Sequence, residues 1–259
     1  MRRGNLPIAE RRPPIRAVLL LGPTGSGKTP QGMLLERAGG FRHFDFGAEL
    51  RAAAAGQRAL PPADVAFVRE LLGAHALLPD ERFDVAARLL DAFLRRTGFD
   101  PARERLALNG LPRHVGQAVA LAELGVRVER VIVLECRAES VRARVARRRR
   151  GEGLDHAGRG DDSPEAVAKK LAVFHDRTAP LVAHYRAQPG VAVSTVTVAA
   201  DTDDEALSAC LRRLVGPAVK LAPLASRPRQ RPPANARRVP ACRAVPGRRS
   251  PSTRVVKRT

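Results

Sequence analysis

The residues Gly22-Pro23-Thr24-Gly25-Ser26-Gly27-Lys28-Thr29 satisfy G-x-x-x-x-G-K-[ST], a pattern suited to holding a phosphate chain. Small residues let successive backbone N–H groups turn inward around phosphate oxygens, and a helix starting at the end of the loop adds a positive field. In such a loop Lys28 is expected to reach the β- and γ-phosphates of ATP as a point charge, and the Thr29 hydroxyl to hold Mg²⁺ directly or through water. A Gly-rich turn also serves as a bare strand-to-helix link, and the loop alone does not separate a kinase from a GTPase, an ATPase or a helicase. Further along, Arg144 and Arg148 stand at i and i+4, so one helix face carries both. The same run of arginines also reads as a solvated face. Asp161-Asp162 precede Ser163-Pro164, a sequence suited to capping the next helix.

These residues need a frame, and the hydrophobic pattern supplies one. Short aliphatic runs at Ile15–Leu21, Phe41–Phe44, Arg105–Leu108, Arg130–Cys136 and Val191–Val198 alternate with helical patterns, which predicts βαβ units on a parallel sheet. The predicted helices are Pro30–Ala38, Pro62–Leu72, Asp84–Thr97, Val115–Leu124, Glu139–Arg148, Pro164–Gln188 and Asp203–Val215. Pro30 fits a first helical turn, where the missing N–H has no intrahelical partner.

Composition bounds the rest. Hydrophobic residues make up 44% of the 259, enough for a real core, whereas aromatics are 3% and tryptophan is absent; base-stacking platforms have little to build on. Cys136, Cys210 and Cys242 are far apart and have no pair at metal-ligand spacing, so a zinc site is not expected and a reducing cytoplasm is. His114, His175 and His184 read as helix-surface or packing residues. No apolar run approaches the roughly 20 residues of a membrane span, and Met1 to Arg16 holds five arginines with no signal-type apolar core. Residues 217–259 carry twelve Lys or Arg, no acid and eight prolines, and so +12 of the net +20. Such a segment lacks the surface needed to offset its ordering entropy. The expected organisation is a basic N-terminal extension (1–14), a folded domain (15–216) and a basic Pro/Arg-rich disordered tail (217–259).

Several segments resemble, in order, those of the adenylate kinase family over about 200 residues: Phe46-Gly47-Ala48-Glu49-Leu50-Arg51, Leu77-Leu78-Pro79-Asp80, Asn109-Gly110-Leu111-Pro112-Arg113 with Gln117, Arg144 with Arg148, Arg159-Gly160-Asp161-Asp162, and Lys169-Lys170-Leu171. The resemblance implies an α/β P-loop kinase fold with a parallel five-stranded sheet flanked by helices. It adds a helical monophosphate-binding insertion (46–80) and a short, cysteine-free lid (148–160). The implied reaction is reversible, Mg²⁺-dependent transfer of the ATP γ-phosphate to AMP in a cytoplasmic monomer. Arg51 and Arg113 would then grip the phosphate of AMP, with Phe46, Leu78, Gly110 and Gln117 around its base. Arg144, Arg148 and Arg159 would contact the triphosphate and the transferring group, Asp161 and Asp162 would orient those arginines, and Lys170, like Arg159, would face both nucleotides.

The chain departs from the family pattern at four places. Asn109 replaces an aspartate that helps to organise hydrated magnesium; Lys28-Thr29 replaces lysine-glycine; Lys170 replaces a bidentate arginine with a single ammonium; and Phe46 replaces a threonine or serine. Asn109 and Lys170 keep open a nucleotide-binding sensor or adaptor of the same fold with weakened catalysis. The tail keeps open a kinase tethered to nucleic acid or another polyanion through phosphate contacts, which require charge alone.

Overall fold

In the computed structural model, which describes residues 13–154 and 163–216, five strands form one parallel sheet. They are β1 (Ile15–Leu21), β2 (Phe41–Asp45), β3 (Arg105–Asn109), β4 (Val126–Glu135) and β5 (Ala192–Thr197), in the spatial order β2-β3-β1-β4-β5. The helices are α1 (Lys28–Arg37), α2 (Phe46–Ala54), α3 (Pro62–Gly73), α4 (Phe83–Thr97), α5 (Val115–Glu123), α6 (Ala138–Arg149), α7 (Pro164–Val173), α8 (Pro180–Arg186) and α9 (Asp204–Val215); they flank the sheet, apart from α6 and α7, which share a small cluster of their own. Alternation along β1 divides the core. Ala17 and Leu19 join Leu89, Leu121 and Leu181 on one face, while Val18 and Leu20 join Leu35, Leu207 and Leu211 on the other. Every residue of β3 is buried, with Leu106, Ala107 and Leu108 between the polar Arg105 and Asn109, as in an inner strand covered on both sides. Strand order reverses at β1, whose neighbours are β3 and β4. In open α/β sheets the crevice beyond the C-terminal strand ends at such a point is the ligand site.

The predicted α/β sheet is therefore present, with differences that have local causes. Helix α1 begins at Lys28, two residues before the expected start, which puts Lys28 and Thr29 in its first turn. Strand β4 begins at Val126: Val126 and Val128 are buried and Arg127 is exposed, an alternating lead-in to the apolar run 131–134. Helix α2 lies in a segment read from sequence only as part of the insertion; Asp45 caps it by accepting from Ala48 N at 2.9 Å. The predicted helix Pro164–Gln188 is interrupted. Helix α7 ends at Val173, a wide π-type turn covers Phe174–Thr178 with Ala179 N donating to Phe174 O at 2.8 Å, and α8 starts at Pro180. Proline has no N–H to continue the ladder and its ring clashes with the carbonyl four residues back, so the backbone widens one turn earlier.

Amphipathic α4 fixes the insertion to the sheet by burying Val85, Ala86, Leu89, Leu90 and Phe93, one stripe at helical period. Across the insertion, the carboxylate of Glu49 on α2 pairs with Arg58 at 2.6 Å and with Arg96 of α4 at 2.7 Å. Asp64 on α3 pairs with Arg82 at 2.7 Å and also bonds Arg88. Both carboxylates are only 7% exposed, so each is compensated by two guanidinium groups where water is scarce. Among the described residues no helix is long and apolar enough to cross a membrane.

Candidate active site

Strand β1 delivers the chain into the loop at Gly22, where φ is +151°. A Cβ there would lie 2.5 Å from Ser26 Oγ and 2.7 Å from Leu134 O, so only glycine closes the loop against β4. Gly22, Pro23 and Ser26 are buried beneath the loop. Thr24, Gly25, Gly27, Lys28 and Thr29 line a cleft of about 250 Å³ beyond the strand ends. The Lys28 ammonium donates to Gly22 O at 2.8 Å and Pro23 O at 2.7 Å, which keeps its charge folded over the loop. From α6, Arg144 donates to Gly25 O at 3.0 Å, to Thr202 O at 2.9 Å and to Asp204 Oδ1 at 2.9 Å. This nearly buried guanidinium therefore ties the loop to the start of α9. That bracing role was not anticipated for Arg144, because Asp204 is far away in sequence.

The opposite wall comes from the insertion and from the end of β3. Phe46, Arg51, Leu78, Gly110, Arg113 and Gln117 all line the same cleft as the phosphate loop. The Arg113 guanidinium is pushed below its ordinary pKa by burial, and its Nε has no hydrogen-bond partner among the described residues. A half-buried cation whose Nε is shut off from water in this way is stabilised by an incoming anion. Gln117 is fully buried; its Oε1 accepts from Arg113 N at 2.8 Å and its Nε2 donates to Leu78 O at 2.7 Å. Its amide thus fixes the 109–113 turn against residue 78, with one hydrogen and one lone pair left over. Phe46 is 4% exposed and packs 6.2 Å from the Phe44 ring, presenting an apolar surface where the family pattern has a hydroxyl.

His114, read from the sequence as a helix-surface or packing residue, is half-buried at the start of α5. It occupies the N-cap position of α5, with Nε2 3.2 Å from Leu78 O and Nδ1 3.3 Å from Asp80 Oδ1. The carboxylate of Asp80 fits because residue 116 is glycine: a Cβ there would sit 2.2 Å from Asp80 Oδ2. His175 is exposed beside Phe174, and His184 pairs with Gln188 at 2.8 Å.

On the lid side, Arg148 and Lys170 reach the cleft, as do Arg147 and Glu152. Lys169 donates to Ala74 O at 2.6 Å, linking α7 to the far end of α3. Arg159, Asp161 and Asp162 lie outside the described residues, as do 155–160 of the expected lid, most of the 1–14 extension and the 217–259 tail.

A further polar cluster sits at the mouth of the loop. Thr29 Oγ1 donates to Asp45 Oδ2 at 2.7 Å, while Asn109 Nδ2 donates to Asp45 Oδ2 at 2.8 Å and to Thr29 Oγ1 at 3.0 Å. Asp45 was missed in the sequence. The signal was there: position 109 lacks its expected acid, and Asp45 ends the neighbouring strand. A hydroxyl, a carboxylate and an amide form an oxygen-rich set that suits a hard divalent cation such as Mg²⁺. Among the described residues there is no group of three or more His, Cys, Asp or Glu able to hold a metal. A cation here would take most of its ligands from phosphate and water.

Comparison with known proteins bears on this geometry. The family model described as adenylate kinase matches residues 20–189, more than half of the chain. The chain is similar to the adenylate kinase of Stenotrophomonas maltophilia, 35% identical over 175 residues that cover 66% of this chain and 86% of the relative. It is similar to that of Parvibaculum lavamentivorans at 34% over 178 residues, covering 66% and 80%. The adenylate kinase of Thermus thermophilus matches at 33% over 177 residues, covering 67% and 84%.

Proposed function

Since the chain belongs to the adenylate kinase family and is an adenylate kinase-like phosphotransferase, we propose that it moves the γ-phosphate of ATP from the Gly22–Thr29 loop to AMP held by Arg51 and Arg113. The reaction is ATP + AMP = 2 ADP, by direct in-line transfer. The observation that carries the assignment of roles is the meeting, in one cleft of about 250 Å³, of the phosphate loop with Arg51 and Arg113 from the opposite wall.

Each residue then has a physical task. Backbone N–H groups of the loop and the Lys28 ammonium hold the triphosphate and offset charge as it shifts toward the bridging oxygen. Arg113, half-buried with its Nε unpaired among the described residues, gains its partner when the AMP phosphate arrives, so binding energy orients the acceptor oxygen. Arg51 adds a second cation from α2. Arg148 and Lys170, with Arg159 in the lid, bring positive charge to the transferring group. Arg144 braces the loop, and Asp161 and Asp162 orient the lid arginines. Closure of the lid at 148–160 excludes water that would otherwise accept the phosphoryl group. Bound Mg²⁺ would offset the charge of the phosphates, and the Thr29 hydroxyl would help to hold it.

Adenine is the preferred base in this reading: Phe46 and Leu78 offer it apolar surface, and Gln117 keeps one hydrogen and one lone pair. The test is the split between substrates. Arg113→Ala is expected to cut kcat/KM for AMP by about 10³-fold or more, with ATP affinity measured in the absence of AMP little changed. Equal losses of ATP and AMP binding would contradict the assignment of Arg113 to the acceptor.

A further inference from the structure

We propose that Asp45 is the metal-positioning carboxylate of this protein, supplying from the end of β2 the negative charge that the family pattern places on the adjacent strand at position 109. The inference rests on the phosphotransfer reading and deepens it at one position. Asp45 and Asn109 are paired residues of neighbouring parallel strands, so their side chains issue side by side at the sheet's C-terminal edge. Asp45, Asn109 and Thr29 all line the cleft that holds Lys28. The two hydrogen bonds from Asn109 Nδ2 reach Asp45 Oδ2 at 2.8 Å and Thr29 Oγ1 at 3.0 Å. The Thr29 proton goes to the same carboxylate oxygen, at 2.7 Å. With its hydrogen committed, the Thr29 oxygen can act only as an acceptor or a ligand toward anything else.

The pair 45/109 therefore carries one charge, on the other strand from the family pattern. Two carboxylates at these positions would repel as like charges on paired strands do; Asn109 is the neutral partner that Asp45 requires, and its amide hydrogens neutralise part of the carboxylate's charge. Position 109 is on this account an exchange and not a loss.

A plainer role for Asp45 is the cap of α2, through Oδ1 and Ala48 N at 2.9 Å. That role uses one oxygen and is filled as well by asparagine or serine. It gives no reason for the second oxygen to gather the phosphate-loop hydroxyl and the Asn109 amide. A hydrated divalent cation bound mainly by phosphates is commonly held by one or two carboxylates, and Asp45 Oδ2 is the carboxylate oxygen bonded to Thr29.

The experiment uses the full chain with ATP and Mn²⁺ as the probe, and water-proton relaxation as the readout of Mn²⁺ held in the protein–ATP complex. Asp45→Asn keeps the cap and removes the charge. It is expected to weaken Mn²⁺ retention about 10- to 100-fold, the range for losing a group that orients metal ligands, while metal-free ATP binding is not weakened, because a negative charge beside the triphosphate is removed. Asn109→Asp alone is expected to lower the melting temperature. The reciprocal exchange Asp45→Asn/Asn109→Asp is expected to restore most of the Mn²⁺ retention. Wild-type retention in Asp45→Asn, or an exchange that folds and repairs nothing, overturns the proposal. If Asp45→Asn does not fold, the folded exchange decides by the same criterion. Turnover of ATP and AMP by the wild type, assayed separately, decides the phosphotransfer reading on which this rests.

Discussion

At the scale of single residues, Thr29 and Asn109 meet on one carboxylate oxygen of Asp45 beside Lys28, while Arg144 bonds Gly25 O from the lid-side helix. The phosphate loop reads directly because its pattern is contiguous: every feature of Gly22–Thr29 lies within one turn, and the structure sets Lys28 and Thr29 at the first turn of α1. Asp45 was invisible for the opposite reason, since its partners Thr29 and Asn109 are 16 and 64 positions away and only strand pairing brings them together. Arg144 was legible as a cation but not as a brace of the Gly22–Thr29 loop, because the bond to Asp204 spans 60 positions. Cys136 carries a residue-scale prediction. Burial pushes its thiol above the ordinary value, outweighing the opposing pull of Arg144 and Lys28, so the thiol form persists to higher pH than in a free cysteine. Since the thiolate is the nucleophile, the pH giving half-maximal alkylation of Cys136 by iodoacetamide, followed by peptide mapping, is expected to lie above that of a small free thiol measured alongside. A half-point below it would contradict the burial.

At the scale of elements, strands were easier to place than helices. The aliphatic runs of β1 and β3 need no partner to be recognised, whereas α2 has only nine residues; its start is set by the Asp45 cap, and it is held by the buried Phe46, Leu50 and Ala53 together with the ion pairs of Glu49. The break between α7 and α8 was signalled by Pro180, but the apolar pattern runs across it and reads as one helix. Glu49 is the element-scale handle, joining α2 to Arg58 and to Arg96 of α4 with little exposure. Replacing it by alanine leaves two guanidinium groups without their shared acceptor. We expect Glu49→Ala to cost about 1–3 kcal/mol, the range for removing one partner of a charged hydrogen bond, measured by urea denaturation. Because Arg51 rides on the same helix, the KM for AMP should rise while ATP affinity holds. A stable variant with unaltered KM would show that α2 is positioned by its apolar contacts alone.

At the scale of the whole molecule, the sheet sets the site where β1 parts β3 from β4, and the insertion and lid-side helices bring cations to it from separate directions. The charge balance is uneven: 46 basic against 26 acidic residues overall, with twelve of the basic ones and none of the acidic ones in 217–259. Deleting 217–259 is expected to leave kcat and both KM values within about twofold, while abolishing any salt-sensitive binding to a polyanion such as heparin, whose affinity should fall steeply with added salt. Loss of turnover on deletion would make the tail part of the catalytic unit. The central claim is phosphoryl transfer at the Gly22–Thr29 loop, and ADP formation from ATP with AMP, CMP, GMP or UMP, in wild type and Lys28→Ala, tests it most directly. The account predicts two ADP per ATP consumed when AMP is the acceptor and one with the other monophosphates, AMP as the fastest acceptor, and a loss of about 10²-fold or more in Lys28→Ala. Undiminished turnover in Lys28→Ala, or no transfer to any monophosphate by the wild type, would contradict it.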